Sequence, residues 1–245
     1  MPRTKVDYAT DQITVYRYCP YKCRYCYVWN NKLFTSRVMR GKYDPVEEAK
    51  KYLNKTGRTI VISFVSDPYP PEERDRRITR KVLEILCNTD NKILILTKNP
   101  QLALRDVDVM SKNCWLGSTV ITLDKGKWRY WEPRTLYSPT RRLYALKIAH
   151  EVGVKTWLSI EPIIPSTTYP QDIINKTLRY IDYYVLGAFN YTKQLGYTTY
   201  TLETLKKYYA KHVSKSIQIL KQHNKPYHIK KELKKMIKTI NNKQK

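Results

Sequence analysis

Short runs of nearly unbroken apolar residues alternate along this chain with segments whose apolar positions recur every three or four residues. The runs ITVYRY (13–18), TIVISFV (59–65), KILILT (92–97), CWLGSTVI (114–121), KTWLSIE (155–161) and YYVLGAF (183–189) read as strands. Most lack the strict alternation of a half-exposed strand, as expected where both sheet faces are covered. Between them lie helices. DPVEEAKKYLN (44–54) opens on Asp44 as a cap with Pro45 in the first turn. RRITRKVLEILC (76–87) puts Ile78, Val82 and Ile85 on one stripe, SPTRRLYALKIAHEVG (138–153) runs from Ser-Pro to Gly153, and PQDIINKTLRYI (170–181) is a fourth segment. Strand alternating with helix implies parallel strands joined by helical crossovers. Six such units are too few to close an eight-unit barrel. The expected fold is therefore α/β, a partial (β/α)6 TIM-type barrel, with a doubly wound sheet as the alternative. In either, ligands sit at the carboxyl ends of the strands.

The last segment has another character. Leu202, Leu205, Tyr209, Val213, Ile217 and Leu220 form one helical stripe, Pro226 interrupts, and Ile229, Leu233, Ile237 and Ile240 resume it. The expected organisation is a barrel domain over 1–200 and a lysine-rich helical extension over 201–245, fraying at the final NNKQK.

Charge adds a candidate partner. The 245 residues carry a net charge of +25; thirteen lysines against two glutamates after position 200 supply +11 and leave +14 elsewhere. A field of that sign attracts polyanions, DNA or RNA above all. Two plainer sources compete with that reading: an A+T-rich genome enriches Lys, Tyr, Ile and Asn by itself, and a lysine face on a packed helix is commonly just solvated. No run of eighteen apolar residues exists and MPRTKVDYATDQ lacks an apolar signal core, so the expectation is a cytoplasmic protein with no membrane partner. Five cysteines, an odd number, argue against a disulfide framework. Cys87 and Cys114 read as ordinary buried thiols.

The other three cysteines stand together in YRYCPYKCRYCYVWN (16–30). Cys19, Cys23 and Cys26 form C-x3-C-x2-C directly after the first strand, on the loop at its carboxyl end. Thiolates favour zinc, copper(I) and iron–sulfur clusters. Structural zinc wants four closed ligands, and no further Cys or His is near: the next are Cys87 and His150. A four-iron cluster normally takes four cysteines. Three hold three irons and leave one open, and an open position is a reactive one.

This motif, with aromatic residues flanking its last cysteine, resembles the signature of radical S-adenosylmethionine (SAM) enzymes. The resemblance implies a [4Fe-4S] cluster on Cys19, Cys23 and Cys26 and SAM chelated at the open iron. It also implies a 5′-deoxyadenosyl radical that abstracts hydrogen from a substrate, and a flavodoxin- or ferredoxin-like electron donor. Tyr25 and Tyr27 would cover the cluster and the adenine, with Tyr27 as the catalytic residue. Within the superfamily, residues 12–190 resemble the spore photoproduct lyase-like branch. SFVSDPYPPEE (63–73) matches its Ser-Asp-Pro-Tyr segment, implying Ser66 on the SAM amino group with Asp67 beside it. ILTKN (95–99) implies Lys98 on the SAM carboxylate, and LGSTV (116–120) implies Ser118 on the methionyl or ribose part. WEPRTLYSPTRRLYAL (131–146) implies Glu132 and Arg134 at SAM or substrate, unless the two pair with each other. SIEPIIP (159–165) brings Glu161 near the mouth, and Gly187 permits close backbone approach. One departure matters. Spore photoproduct lyase proper has a hydrogen-donating cysteine two residues before the serine that matches Ser66; here that position is Phe64. A tyrosine then donates the hydrogen, or the reaction differs. Three functions stay open: a radical SAM enzyme on DNA or RNA, one on a peptide or small metabolite, and a non-catalytic zinc-dependent nucleic-acid-binding protein.

Overall fold

The computed structural model describes residues 6–30 and 43–241. Its sheet contains β1 (Asp11–Ile13), β2 (Thr59–Ile62), β3 (Lys92–Thr97), β4 (Cys114–Thr119), β5 (Lys155–Ile163), β6 (Tyr183–Ala188) and β7 (Tyr227–Ile229). All neighbours are parallel and the spatial order follows the chain. Sequential parallel strands cannot lie flat, because every pair adds the same sense of twist. The sheet curls into a half-barrel, the architecture the alternation of elements implies.

The helices are α1 (Tyr27–Asn30), α2 (Pro45–Lys50), α3 (Glu73–Arg76), α4 (Ile78–Leu86), α5 (Pro100–Ala103), α6 (Lys125–Trp131), α7 (Pro139–Glu151), α8 (Pro170–Thr177), α9 (Leu202–Gln222) and α10 (Lys231–Asn241). Local chemistry sets their starts. Asp44, Asn99, Asp124, Ser138 and Thr201 each accept a backbone N–H of the first turn, and Pro45, Pro100, Pro139 and Pro170 open four of the helices. Outward residues of the strands, such as Ile60, Ile62, Ile93, Ile95, Leu116, Leu158 and Leu186, share one core with the helices. Inward residues Val61, Leu94, Trp157 and Val185 form a second, smaller cluster closed by Val6. Trp157 fills the floor of the half-barrel. Its indole N–H donates to the Ile95 carbonyl at 3.0 Å, and a Cβ on Gly117 would come within 2.4 Å of its ring. The segment around Val6 crosses beneath: Tyr8 meets Trp157 edge-on at 5.9 Å, and Asp7 accepts the Lys231 N–H at 2.7 Å with His228 Nε2 3.3 Å away.

Three differences from the sequence reading have physical reasons. The first strand is Asp11–Ile13 rather than 13–18. The ladder stops where the Ser63 hydroxyl, in place of a carbonyl, accepts the Val15 N–H at 3.0 Å and frees the chain to turn away. A seventh strand, β7, emerges after Pro226; three residues are too few to show a period. Cys87 and Cys114, expected as separate thiols, form a disulfide with Cα atoms 5.7 Å apart. The end of α4 and the start of β4 meet in space, which a separation of 27 residues does not reveal. Among the described residues, no helix is long and apolar enough to cross a membrane. Positions 242–245 of the terminal NNKQK lie outside the described residues.

Candidate active site

The loop after β1 is tied on two sides. Tyr21, fully buried, donates its hydroxyl to the Tyr69 carbonyl at 3.1 Å, and the Arg24 N–H donates to the Trp131 carbonyl at 2.9 Å. Lys22 between them takes a left-handed φ of 42°, and the Cys26 N–H closes a turn onto the Cys23 carbonyl at 2.9 Å. Cys19, Cys23 and Cys26 thereby face one cavity at the carboxyl ends of the strands, with about 970 Å³ of open space. Burial, reinforced by nearby Asp67, pushes the Cys19 thiol up to about 12, and burial pushes Cys23 higher. In a buried setting thiols stay protonated until a metal displaces the proton.

The segment after β2 forms the next wall. Asp67, buried, accepts the Thr97 hydroxyl at 2.6 Å, the Tyr69 N–H at 2.9 Å and the Lys98 N–H at 2.8 Å. Burial raises its pKa despite these donors. It pins this loop to the end of β3. From below, the Tyr69 hydroxyl donates to Asp106 at 3.0 Å, itself paired with Arg80 and Arg105. The Ser66 hydroxyl, held on this brace, is buried and has no hydrogen-bond partner among the described residues. Lys98 stands opposite. Burial opposes its charge, but Cys23 and Glu132 outweigh that and raise its pKa, and its ammonium lies 5.6 Å from the centre of the Tyr25 ring. Tyr27 lines the same space, its hydroxyl kept protonated by burial and by Cys26 and Glu161. Glu161 lies against Gly187, where a Cβ would come within 2.5 Å of its carboxyl carbon, and accepts Lys230 at 2.7 Å.

The cavity wall thus gathers the three cysteines, Tyr25, Tyr27, Ser66, Asp67 and Lys98. Ser118 is not on it. Ser118 donates to the Thr97 carbonyl at 2.6 Å, and its neighbour Thr119 lines the cavity instead, since successive strand residues face opposite ways. Arg134 is exposed and outside the cavity lining. Glu132 pairs not with Arg134 but with Arg142 at 2.5 Å, both buried, and receives the Tyr25 hydroxyl. Burial would raise its carboxyl, yet Arg142 and Lys98 hold it low. Glu132 therefore stands behind Tyr25. Sequence reasoning missed Thr119, Ser159 and Asn190 on the wall. Glu161 carried the signal for Ser159, two residues back on the same strand face.

Three soft thiol donors facing one cavity are a donor set that an iron–sulfur cluster can take. The unpartnered Ser66 hydroxyl and the Lys98 ammonium suit a ligand bearing an amino acid group.

The family described as the radical SAM superfamily matches residues 13–175. An uncharacterized protein of Methanocaldococcus jannaschii is 32% identical over 196 residues, covering 76% of this chain and 73% of that one. An uncharacterized protein of Acidianus two-tailed virus is 30% identical over 173 residues, covering 63% of this chain and 56% of its own length. In fold, a spore photoproduct lyase mutant with bound AdoMet and dinucleoside spore photoproduct superposes with a TM-score of 0.70 at 16% identity, covering 93% of this chain and 78% of that one. Streptococcus suis SuiB bound to precursor peptide SuiA superposes with a TM-score of 0.63 at 17% identity, covering 90% of this chain and 48% of that one.

Proposed function

The chain belongs to the radical SAM superfamily, and from that premise we propose that Cys19, Cys23 and Cys26 hold a [4Fe-4S] cluster and that the enzyme acts on DNA or RNA at the mouth of the half-barrel. Family membership brings with it an iron–sulfur cluster and SAM. When bound, they supply a one-electron cleavage that yields a 5′-deoxyadenosyl radical able to take a hydrogen atom from the substrate.

The protein's part is to bind, orient and exclude water. Lys98 offers a point charge to the SAM carboxylate, and the Ser66 hydroxyl offers a partner to its amino group. Asp67 keeps the two at a fixed separation by bonding to both loops. Glu132, paired with Arg142, anchors the cysteine loop through the Tyr25 hydroxyl. Val65, Leu96, Ala188 and Phe189 give the cavity an apolar lining, which keeps a reactive centre dry. Phe64 has no transferable hydrogen, so Tyr27, whose buried phenol stays protonated, is the residue we assign to hydrogen return. An electron donor of flavodoxin or ferredoxin type completes the system.

The observation that carries this reading is the meeting of three thiols, an orphaned hydroxyl and a lysine in one cavity. The net charge of +25 favours nucleic acid as substrate. A second reading, a peptide substrate, draws on the precursor peptide bound by SuiB. Oxygen-free reconstitution with iron, sulfide, dithionite and SAM tests both levels. The wild type is expected to form 5′-deoxyadenosine, faster with added DNA or RNA, and Cys23→Ala to lose its iron. Full iron content in Cys23→Ala would remove the ligand assignment. Turnover indifferent to nucleic acid but stimulated by peptide would move the substrate to the second reading.

A further inference from the structure

A second cavity opens beside the first, with about 780 Å³ of open space between α6 and the segment after β6. Lys127, Tyr130, Trp131, Tyr197 and Tyr200 line it, and none of its lining residues is acidic. Its inner wall is shared with the first cavity. Phe189, which lines the first, packs against Trp131 at 5.8 Å, Tyr197 at 5.6 Å and Tyr200 at 5.5 Å. Trp131 lies 5.1 Å from Tyr197 and anchors its indole N–H on Thr167 at 3.2 Å. These contacts make a rigid aromatic surface. At its rim Tyr130 is 50% exposed, with the Arg24 guanidinium 4.5 Å from its ring centre. Arg24 sits between two residues of the cysteine loop, so this rim adjoins the cluster ligands.

We propose that this groove holds an unpaired nucleotide of a single-stranded DNA or RNA segment, next to the one presented to the first cavity, with its base on the aromatic wall around Tyr130 and its phosphate beside Arg24. The inference rests on the nucleic-acid reading above and adds where the strand runs. Rigid aromatic faces stack on any base, and arginine pairs with phosphate. The apolar lining here is aromatic rather than aliphatic, and Tyr197, Tyr200, Thr167 and Thr199 add hydroxyls that can meet phosphate oxygens and base edges. The excess of positive charge on the chain complements a phosphate backbone.

The test is fluorescence anisotropy of cluster-loaded protein with labelled single-stranded DNA and RNA oligonucleotides over a range of salt, with polyglutamate as competitor. Tyr130 is exposed enough that Tyr130→Ala should fold. That variant is expected to bind about tenfold more weakly or worse, while Tyr130→Phe binds like the wild type and both cleave SAM with dithionite at the wild-type rate. Undiminished binding by Tyr130→Ala would overturn the groove while leaving a nucleic-acid substrate standing. No strand binding by the wild type at low salt would remove the substrate reading and the groove together. Equal displacement of the strand by polyglutamate from wild type and Tyr130→Ala would reduce the groove to a charge effect and overturn base stacking.

Discussion

Replacing Arg142 by Met is expected to be among the most damaging substitutions outside the cysteine loop. The guanidinium is fully buried and donates three ways: to Glu132 at 2.5 Å, to the Thr119 carbonyl at 3.0 Å and to the Tyr137 carbonyl at 3.0 Å. Met keeps most of the stem and removes every donor. Stranding a buried carboxylate costs about 3–5 kcal/mol, and each orphaned carbonyl adds about 1 kcal/mol. Lys98 still faces Glu132 and relieves part of this, so the expected net loss is about 4 kcal/mol. At this chain length that lowers Tm by roughly 10 °C. Urea unfolding, with iron measured in parallel because bound cofactor stabilises, gives the value. Adding Glu132→Gln removes the stranded charge and should recover about 2 kcal/mol. The pH profile carries a second signature. The Glu132 carboxyl is held below its ordinary value in the folded protein, so its stabilisation is present above the unfolded pKa, roughly 4.3, and is lost as pH falls through the lowered folded value. The gap between wild type and Arg142→Met should thus be widest near neutrality and narrow in acid, leaving about 2 kcal/mol from the two orphaned carbonyls, which do not titrate. A single variant within 1 kcal/mol of the wild type at pH 7, or a double variant no more stable than the single (differences at the scale of one hydrogen bond), would refute the reasoning.

Two further outcomes are expected. Replacing Cys87 and Cys114 together by Ser should cost about 3.5 kcal/mol from the entropy of opening a loop of 27 residues; an unchanged urea midpoint under non-reducing conditions would show that the bridge does not form in solution. Lys98→Ala should weaken SAM binding by about tenfold or more, as loss of a buried charge-assisted contact does, with iron content unchanged. Equal SAM affinity in equilibrium dialysis would take Lys98 out of the site.

The strands β2 to β6 were legible because burial on both faces leaves continuous apolar runs bounded by polar turns. The same property hid their phase. Where both faces are apolar, nothing in LGSTV says which neighbour looks into the cavity, and Ser118 was read where Thr119 stands. The three cysteines were legible through their spacing and their place after a strand. The partner of Glu132 was not: Arg134 is closer in sequence, but the turn after α6 sends it to solvent, and Arg142, one turn into α7, comes back underneath. The Cys87–Cys114 bridge and β7 depend on tertiary proximity alone. The aromatic groove joins residues 60 or more positions apart, Tyr130 to Tyr197 and Tyr200, and no spacing along the chain brings them together.

The contact of Asp7 with Lys231 and His228 works as a tie rod across the open side of the half-barrel. β1 and β7 are its two free margins, three residues each; the rod links the strap before one to the residues after the other, and the Lys230–Glu161 pair ties the second to β5. The cysteine loop continues directly from β1, so the thiols hang from one of these margins. Altering the Val6–Ala9 strap or the residues after Pro226 would therefore move the thiols relative to Glu161 on β5 and reshape the space between them for a different guest.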